Sequence, residues 1–455
     1  MRLQTVLAAC VAVVFLAGGC ARSGPAGQED SPREQASSAD FGDLKNVCQK
    51  GDAKSAPTQG VTADTIQVGV FTDVSFTKQS HFVDTATVFT KWCNELGGIN
   101  GREVVATTRD AKLTEVPQRM LEACGEDFAL VGGGAALDAL GVQQRLQCLL
   151  PSFPAQVTMV GNIGSDLQVA SLGGASYNRY AGFYGWLMKD AYPDSAGAVG
   201  LISGDAAITK VLAAQTKEVL VGSGGTLSYD DLYPVQGVTD WTPYAQSIKS
   251  KGVKGLVFLG DFTQLAKLEQ VLTNIGYKLD WIDVNSNSYG PEFIQLAGPA
   301  TLELQNNVAD LSGVYPLEKA DDNPATKQLS DLFAKYAPDA HVSMPAVRAF
   351  AAWLLFAKAA KSCGDDLTRR CVYDAAMKET KWTGGGLTAP ADMSNQDGPV
   401  TCFNVEKATR DGWEPADFEP DEGAYRCDAP EYRYQGPYPK PATLADVGKS
   451  LNDVK

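Results

Sequence analysis

Short runs of branched and aromatic residues alternate along this chain with longer stretches whose apolar residues recur every three or four positions. The unit Gly255–Asp283 shows the rhythm most clearly. Leu256–Leu259 reads as a strand, Leu265, Leu268, Leu272 and Ile275 mark one face of a helix, and Trp281–Val284 reads as the next strand. Strands joined through helices lie parallel, because only a crossover returns the chain to the start of the next strand. An earlier series has the same form. Strand Ile66–Phe71 precedes a helix striped by Phe82, Ala86, Phe89 and Cys93, and a strand starts at Glu103–Ala106. Helices around Pro117–Cys124 and Leu137–Gln147 then lead to strands Phe128–Val131 and Leu149–Phe153. After Tyr177 a second series begins, with a helix over Phe183–Ala191, strand Ala198–Ile202 and helix Lys210–Val221. Two such series mean an α/β protein of two doubly wound parallel-sheet lobes. A long helix is expected over Ala346–Ala360, before a Gly/Pro-rich tail.

The 455 residues are enough for two or three domains, and 44% apolar with 20% charged residues is an ordinary globular balance. Lys and Arg number 39 against 54 Asp and Glu, a net charge of −15, which argues against nucleic acid as a partner. His81 and His341 are the only histidines, so multi-histidine zinc sites and a Ser-His-Asp triad are disfavoured. His81 reads as a helix-start residue and His341 as solvated loop. Gly222-Ser223-Gly224-Gly225 is not the nucleophile elbow G-x-S-x-G. Neither an enzyme nor a metal or cofactor is expected.

Arg2 precedes an apolar run from Val6 to Ala17, too short to span a bilayer and suited to a secretory signal over 1–19. Gly18-Gly19-Cys20 resembles a bacterial lipobox, although Ala17 stands where Leu is usual. That resemblance implies a lipid on Cys20, anchoring at the outer face of the cytoplasmic membrane, and a mature chain that starts there. Residues 20–60, mostly small, polar and charged, read as a flexible tether.

Several segments resemble one family, the type I extracytoplasmic solute-binding proteins of branched-chain amino-acid ABC transporters. Asn94-Glu95-Leu96-Gly97-Gly98-Ile99-Asn100-Gly101-Arg102 is close to its signature N-x-x-G-G-I-N-G followed by Arg or Lys. Thr65–Val70, Asp110-Ala111, Phe128–Gly133, Leu150–Ala155 and Val238–Tyr244 resemble its first strand, an acidic pair, two later strands with their loops, and the approach to a second-lobe helix. The resemblance implies the type I periplasmic-binding-protein fold, two lobes joined by three crossings. Lobe 1 would take 61–178 and 315–395, lobe 2 179–314 and 396–440, leaving 441–455 as a tail. It also implies a monomer that captures a small solute, amino-acid-like or otherwise polar or amphipathic, between the lobes and delivers it to an ABC permease. A ligand-sensing lipoprotein serving a receptor, and an extracellular hydrolase, stay open as alternatives.

In open α/β sheets, ligands sit beyond the carboxyl ends of the strands. The post-strand loops therefore supply the candidate ligand-binding residues. Ser75 and Phe76 follow the first strand. Gly133, Gly134 and Ala135 form a loop whose backbone N–H groups suit a carboxylate, with Ala135-Ala136 where amino-acid binders of the family carry Ser or Thr. Ala155 and Thr158 follow the fourth strand, where the family supplies a backbone group and a hydroxyl. Thr158 reads equally as a cap or turn hydroxyl. In the second series stand Asp205, Asp261, Asn285, Ser286 and Tyr289. Asp261 reads equally as an ammonium partner or a helix cap.

Of ten cysteines, Cys10 lies in the signal and Cys20 in the lipobox, and the even remainder in an exported chain favours disulfides. Cys124 and Cys148 precede neighbouring parallel strands and should pair. Cys93, on a helix across the sheet from them, should take Cys48. Cys363 and Cys371 flank a short turn, and Cys402 should pair with Cys427.

Overall fold

The computed structural model describes residues 39–234 and 236–455, so the signal segment and Cys20 lie outside the described residues. Lobe 1 is built on four parallel strands, β1 (Thr65–Thr72), β2 (Glu103–Asp110), β3 (Ala129–Val131) and β4 (Ser152–Phe153), in the order β2-β1-β3-β4. The register places Val68 opposite both Ala106 and Ala129. Helix His81–Glu95 packs on one face through Phe89, Trp92 and Cys93. On the same side lies helix Met344–Ser362, whose sequence is apolar nearly all round because lobe 1 encloses it. Phe89 stacks on Trp353 with ring centroids 5.0 Å apart. Gly132 must be glycine here: its φ is +65°, and a Cβ would lie 2.3 Å from the Trp353 indole nitrogen.

Lobe 2 has seven strands: β5 (Val199–Gly204), β6 (Leu227–Tyr233), β7 (Gly255–Leu259), β8 (Trp281–Asp283), β9 (Asn307–Asp310), β10 (Val405–Thr409) and β11 (Gly412–Pro415). Their order is β11-β10-β9-β8-β7-β5-β6, parallel except for β10, which runs antiparallel to both β9 and β11. The doubly wound, type I periplasmic-binding-protein architecture is thus the observed one. The helical run after Tyr180 changes character partway, from α (Ala181–Trp186) to a π-turn (Leu187–Ala191).

The signature segment has a structural explanation. Its glycines make the turn, with Gly98 and Gly101 at positive φ. Arg102, fully buried, then donates to the carbonyl oxygens of Ser55, Thr62, Gly364 and Asp365. That guanidinium ties the first described segment to lobe 1, which corrects the tether reading for residues 39–60. Phe41, Val47 and Cys48 are buried there, and Phe41 packs on Trp92 and Phe350. A few apolar anchors and one disulfide hold a stretch whose average composition is that of a linker.

The disulfides join Cys48 to Cys93, Cys124 to Cys148, Cys363 to Cys371 and Cys402 to Cys427, the pairs that strand order and helix placement lead one to expect. The three crossings lie side by side. Gly174 donates to Gly398, and Asn404 binds Leu311, Gly313 and Val314. The tail adds a further passage. Glu218 of lobe 2 accepts from the backbone of Gln435 and Gly436 and from the Tyr438 hydroxyl. The chain then returns to lobe 1, where Ala442 pairs with Gly161 and Asp166, and Leu444 and Val454 pack on Val142, Leu146 and Leu167.

Candidate functional site

A cavity of about 190 Å³ opens between the lobes at the carboxyl ends of their strands. Lobe 1 contributes Ala155–Thr158 and the start of helix Met344–Ser362, including Arg348. Lobe 2 contributes the ends of β8 and β9, Asp283 and Asp310, with Tyr184 beside them. Arg179 and Tyr180, from the first crossing, complete the wall.

The charges are unevenly committed. Asp283 accepts from the Tyr184 hydroxyl (3.1 Å) and from the Asn285 N–H (2.9 Å), and burial raises its pKa to about 6. Asp310 accepts from the Ser312 N–H (2.7 Å), its other oxygen has no hydrogen-bond partner, and burial raises it to about 7. Burial also lowers the pKa of Arg348, which makes a long hydrogen bond (3.4 Å) to the Leu311 carbonyl. Among the described residues, no carboxylate oxygen lies within 4.0 Å of a nitrogen of Arg179 or Arg348. A desolvated guanidinium without a counterion is costly, so the placement of Arg348 on the cavity wall is informative.

A family model described as periplasmic binding protein matches residues 65–411. The chain belongs to the periplasmic binding protein family. Solved structures share the fold. A fatty acid ABC transporter substrate-binding protein from Thermomonospora curvata is 19% identical with a TM-score of 0.65, covering 85% of this chain and 97% of its own. The branched-chain amino acid transporter substrate binding protein LivJ from Streptococcus pneumoniae, in complex with isoleucine, is 18% identical with a TM-score of 0.61, covering 78% and 99%. The leucine binding protein LivK from Thermotoga maritima is 13% identical with a TM-score of 0.63, covering 77% and 97%. No curated protein matches the chain.

The structure brings only part of the candidate set to the cavity of this periplasmic binding protein. Ala155, Thr158, Asn285 and Ser286 line it. Thr158 is also tied into lobe 1, its N–H donating to Asp138 (2.9 Å) and its hydroxyl to the Ala135 carbonyl (3.3 Å). Gly133, Gly134 and Ala135 line a separate hollow of about 40 Å³. Nearby N–H groups there are already spent, Gly134 on the Phe71 carbonyl and Ala136 on the Asp73 carboxylate (2.7 Å). An internal acid therefore takes the anion position that the glycine loop suggests.

The other candidates lie off the cavity wall. Ser75 and Phe76 are exposed, Phe76 by 60%. Asp205 is exposed and paired with Lys210 (2.6 Å). Asp261 caps helix Phe262–Asn274, accepting from the Thr263 N–H (2.7 Å), so the cap reading describes its contact. Tyr289 is buried, donates to Glu318 (2.6 Å) and stands edge-on to Trp413. His81 opens its helix and shares a hydrogen bond with Ser343.

Arg348, Asp283, Asp310, Arg179 and Tyr184 were missed by loop-based reasoning. Arg348 carries a signal even so: it is one of two cations, with Lys358, in the otherwise apolar run Ala346–Ala360. Asp283 and Asp310 are acids at the ends of otherwise buried strands, where an ion must have a partner or a use.

Proposed function

We propose that this protein captures a small solute between its lobes and delivers it, unchanged, to an ABC permease at the outer face of the cytoplasmic membrane. The observation that carries the reading is the composition of the cavity wall. Arg348 comes from lobe 1 and Asp283 and Asp310 from lobe 2, so a solute touching both would bridge the lobes and favour their closure. Family membership and neighbours described as substrate-binding proteins support it. No helix among the described residues is long and apolar enough to cross a membrane. Attachment in this reading is through an acyl chain on Cys20. The protein acts as a monomer in this reading.

The test uses protein unfolded, dialysed free of small molecules and refolded. A metabolite extract should raise its thermal midpoint and reduce its radius of gyration in solution scattering, and the bound species should be recovered chemically intact. A midpoint indifferent to every fraction of the extract, or a recovered species that is chemically altered, would overturn the reading.

A further inference from the structure

We infer that residues 436–442 form a strut of nearly fixed length across one flank of the cavity, which limits how far the lobes part and keeps the cleft formed before a solute arrives. This deepens the solute-capture reading above, on which its part in capture rests. The segment lies beyond residues 65–411, the span that matches the family model. Its sequence, Gly436-Pro437-Tyr438-Pro439-Lys440-Pro441-Ala442, has a proline at every second position. Each proline fixes its own φ, and each residue before a proline is driven to extended backbone. Every position from 436 to 441 therefore falls under one restriction or the other.

Both ends are fastened beside the cavity. On lobe 2 the seat is Glu218, on helix Ala207–Gly222, one turn beyond Gln215 of the cavity wall. Its carboxylate accepts from the Gly436 N–H (3.1 Å) and the Tyr438 hydroxyl (2.8 Å). The Tyr438 N–H donates back to the Gly436 carbonyl (2.9 Å), so the chain bends over that acid. Just before the bend, Tyr434 lines the cavity, its hydroxyl accepting from the Asn178 amide (3.0 Å). On lobe 1 the seat is the loop after β4, close to Ile163 of the cavity wall. There the Ala442 N–H donates to the Gly161 carbonyl (2.9 Å) and the Leu444 N–H to the Asp166 carboxylate (2.6 Å). Buried Leu444 then locks the seat against Val142 and Leu146. Pro439, Lys440 and Pro441 span the seats, four residue steps from Tyr438 to Ala442. Polyproline II covers about 12 Å in four steps, and full extension covers about 14 Å. The slack is about 2 Å, so the lobes swing within a range that this length sets. A cleft held near its bound shape gives up less freedom on binding, which favours capture.

The experiment uses the full-length refolded protein with Phe76 and Leu232, exposed positions just after β1 and at the end of β6, each replaced by p-acetylphenylalanine and spin-labelled. Pulsed electron resonance reads the label separation without any solute. Six Gly and Ser residues inserted between Lys440 and Pro441 add about 20 Å of reach. They should lengthen the mean separation and at least double the width of its distribution. The same insert between Lys449 and Ser450, beyond the lobe 1 seat, should leave both unchanged. Pro439→Gly combined with Pro441→Gly, which frees the backbone at constant length, should broaden the distribution toward shorter separations only. An unchanged separation with the insert in the strut, or equal lengthening by both inserts, would overturn the strut and leave solute capture standing. Metabolite extract added afterwards should bring the wild type and the strut insert to one short separation, the insert needing at least threefold more extract. If the wild type does not respond to extract, the strut's part in capture falls with the solute-capture reading, while the unliganded separations still decide the strut itself.

Discussion

Glu269 offers the sharpest quantitative test of the structure, and it lies away from the cleft. It sits fully buried on helix Phe262–Asn274, where one carboxyl oxygen accepts from the side-chain amide of Asn307 on β9 (2.9 Å). The other carboxyl oxygen and the Asn307 amide oxygen both lack a partner. One proton resolves both defects: a neutral Glu269 can donate to the Asn307 oxygen while accepting from its nitrogen. Burial accordingly raises the Glu269 pKa from 4.5 to about 8. An acid whose pKa rises on folding holds its proton in the folded state after the unfolded chain has lost it. Stability therefore falls as pH climbs from about 4.5 to about 8 and levels off above. Linkage puts the loss at about 1 kcal/mol at pH 5, about 3 kcal/mol at pH 7 and about 5 kcal/mol at pH 9. Glu269→Gln supplies the same donor and acceptor with no proton to lose. It should come closest to the wild type near pH 4 and exceed it increasingly at pH 5, 7 and 9 in urea unfolding followed by tryptophan fluorescence. A Gln variant that is no more stable at pH 9 than at pH 5, relative to wild type, would refute the reasoning.

Two further outcomes follow from particular contacts. Asp261→Ala should cost about 1 kcal/mol through loss of a helix cap and leave solute affinity untouched, read by thermal melting and calorimetry. Lost affinity with unchanged stability would mean that Asp261 reaches the solute. Cys20→Ala should move the protein from the membrane fraction to the medium, and retention on membranes after a high-salt wash would refute lipid anchoring.

The alternation of strand and helix made the lobes legible because parallel sheets must be wound with crossovers, and periodicity reports burial directly. The disulfides were legible for a related reason: once β3 and β4 are neighbours, Cys124 and Cys148 have little choice. Composition misled at residues 39–60, where Phe41 and Arg102 make the decisive contacts from far apart in sequence. The site was only half legible. Loop reasoning finds Ala155, Thr158, Asn285 and Ser286, which follow strands, and misses Arg348, which enters the cleft from a helix. Asp261 and Asp205 show the converse: a polar residue after a strand is as readily consumed by a cap or an ion pair as by a solute.

The return of residues 436–444 from lobe 2 to lobe 1 has a mechanical meaning. With this passage the chain crosses between the lobes an even number of times, so the segment around Phe41 and the one around Val454 are seated in the same lobe. Tension between those two segments is borne by lobe 1 and is not carried across the cavity. Lobe 2 hangs from lobe 1 as a closed loop, free to swing under thermal motion without feeling a pull on either flank. In the solute capture proposed above, opening and closing would thereby be insulated from drag on the chain, and the work to close the jaws would come from what enters between them.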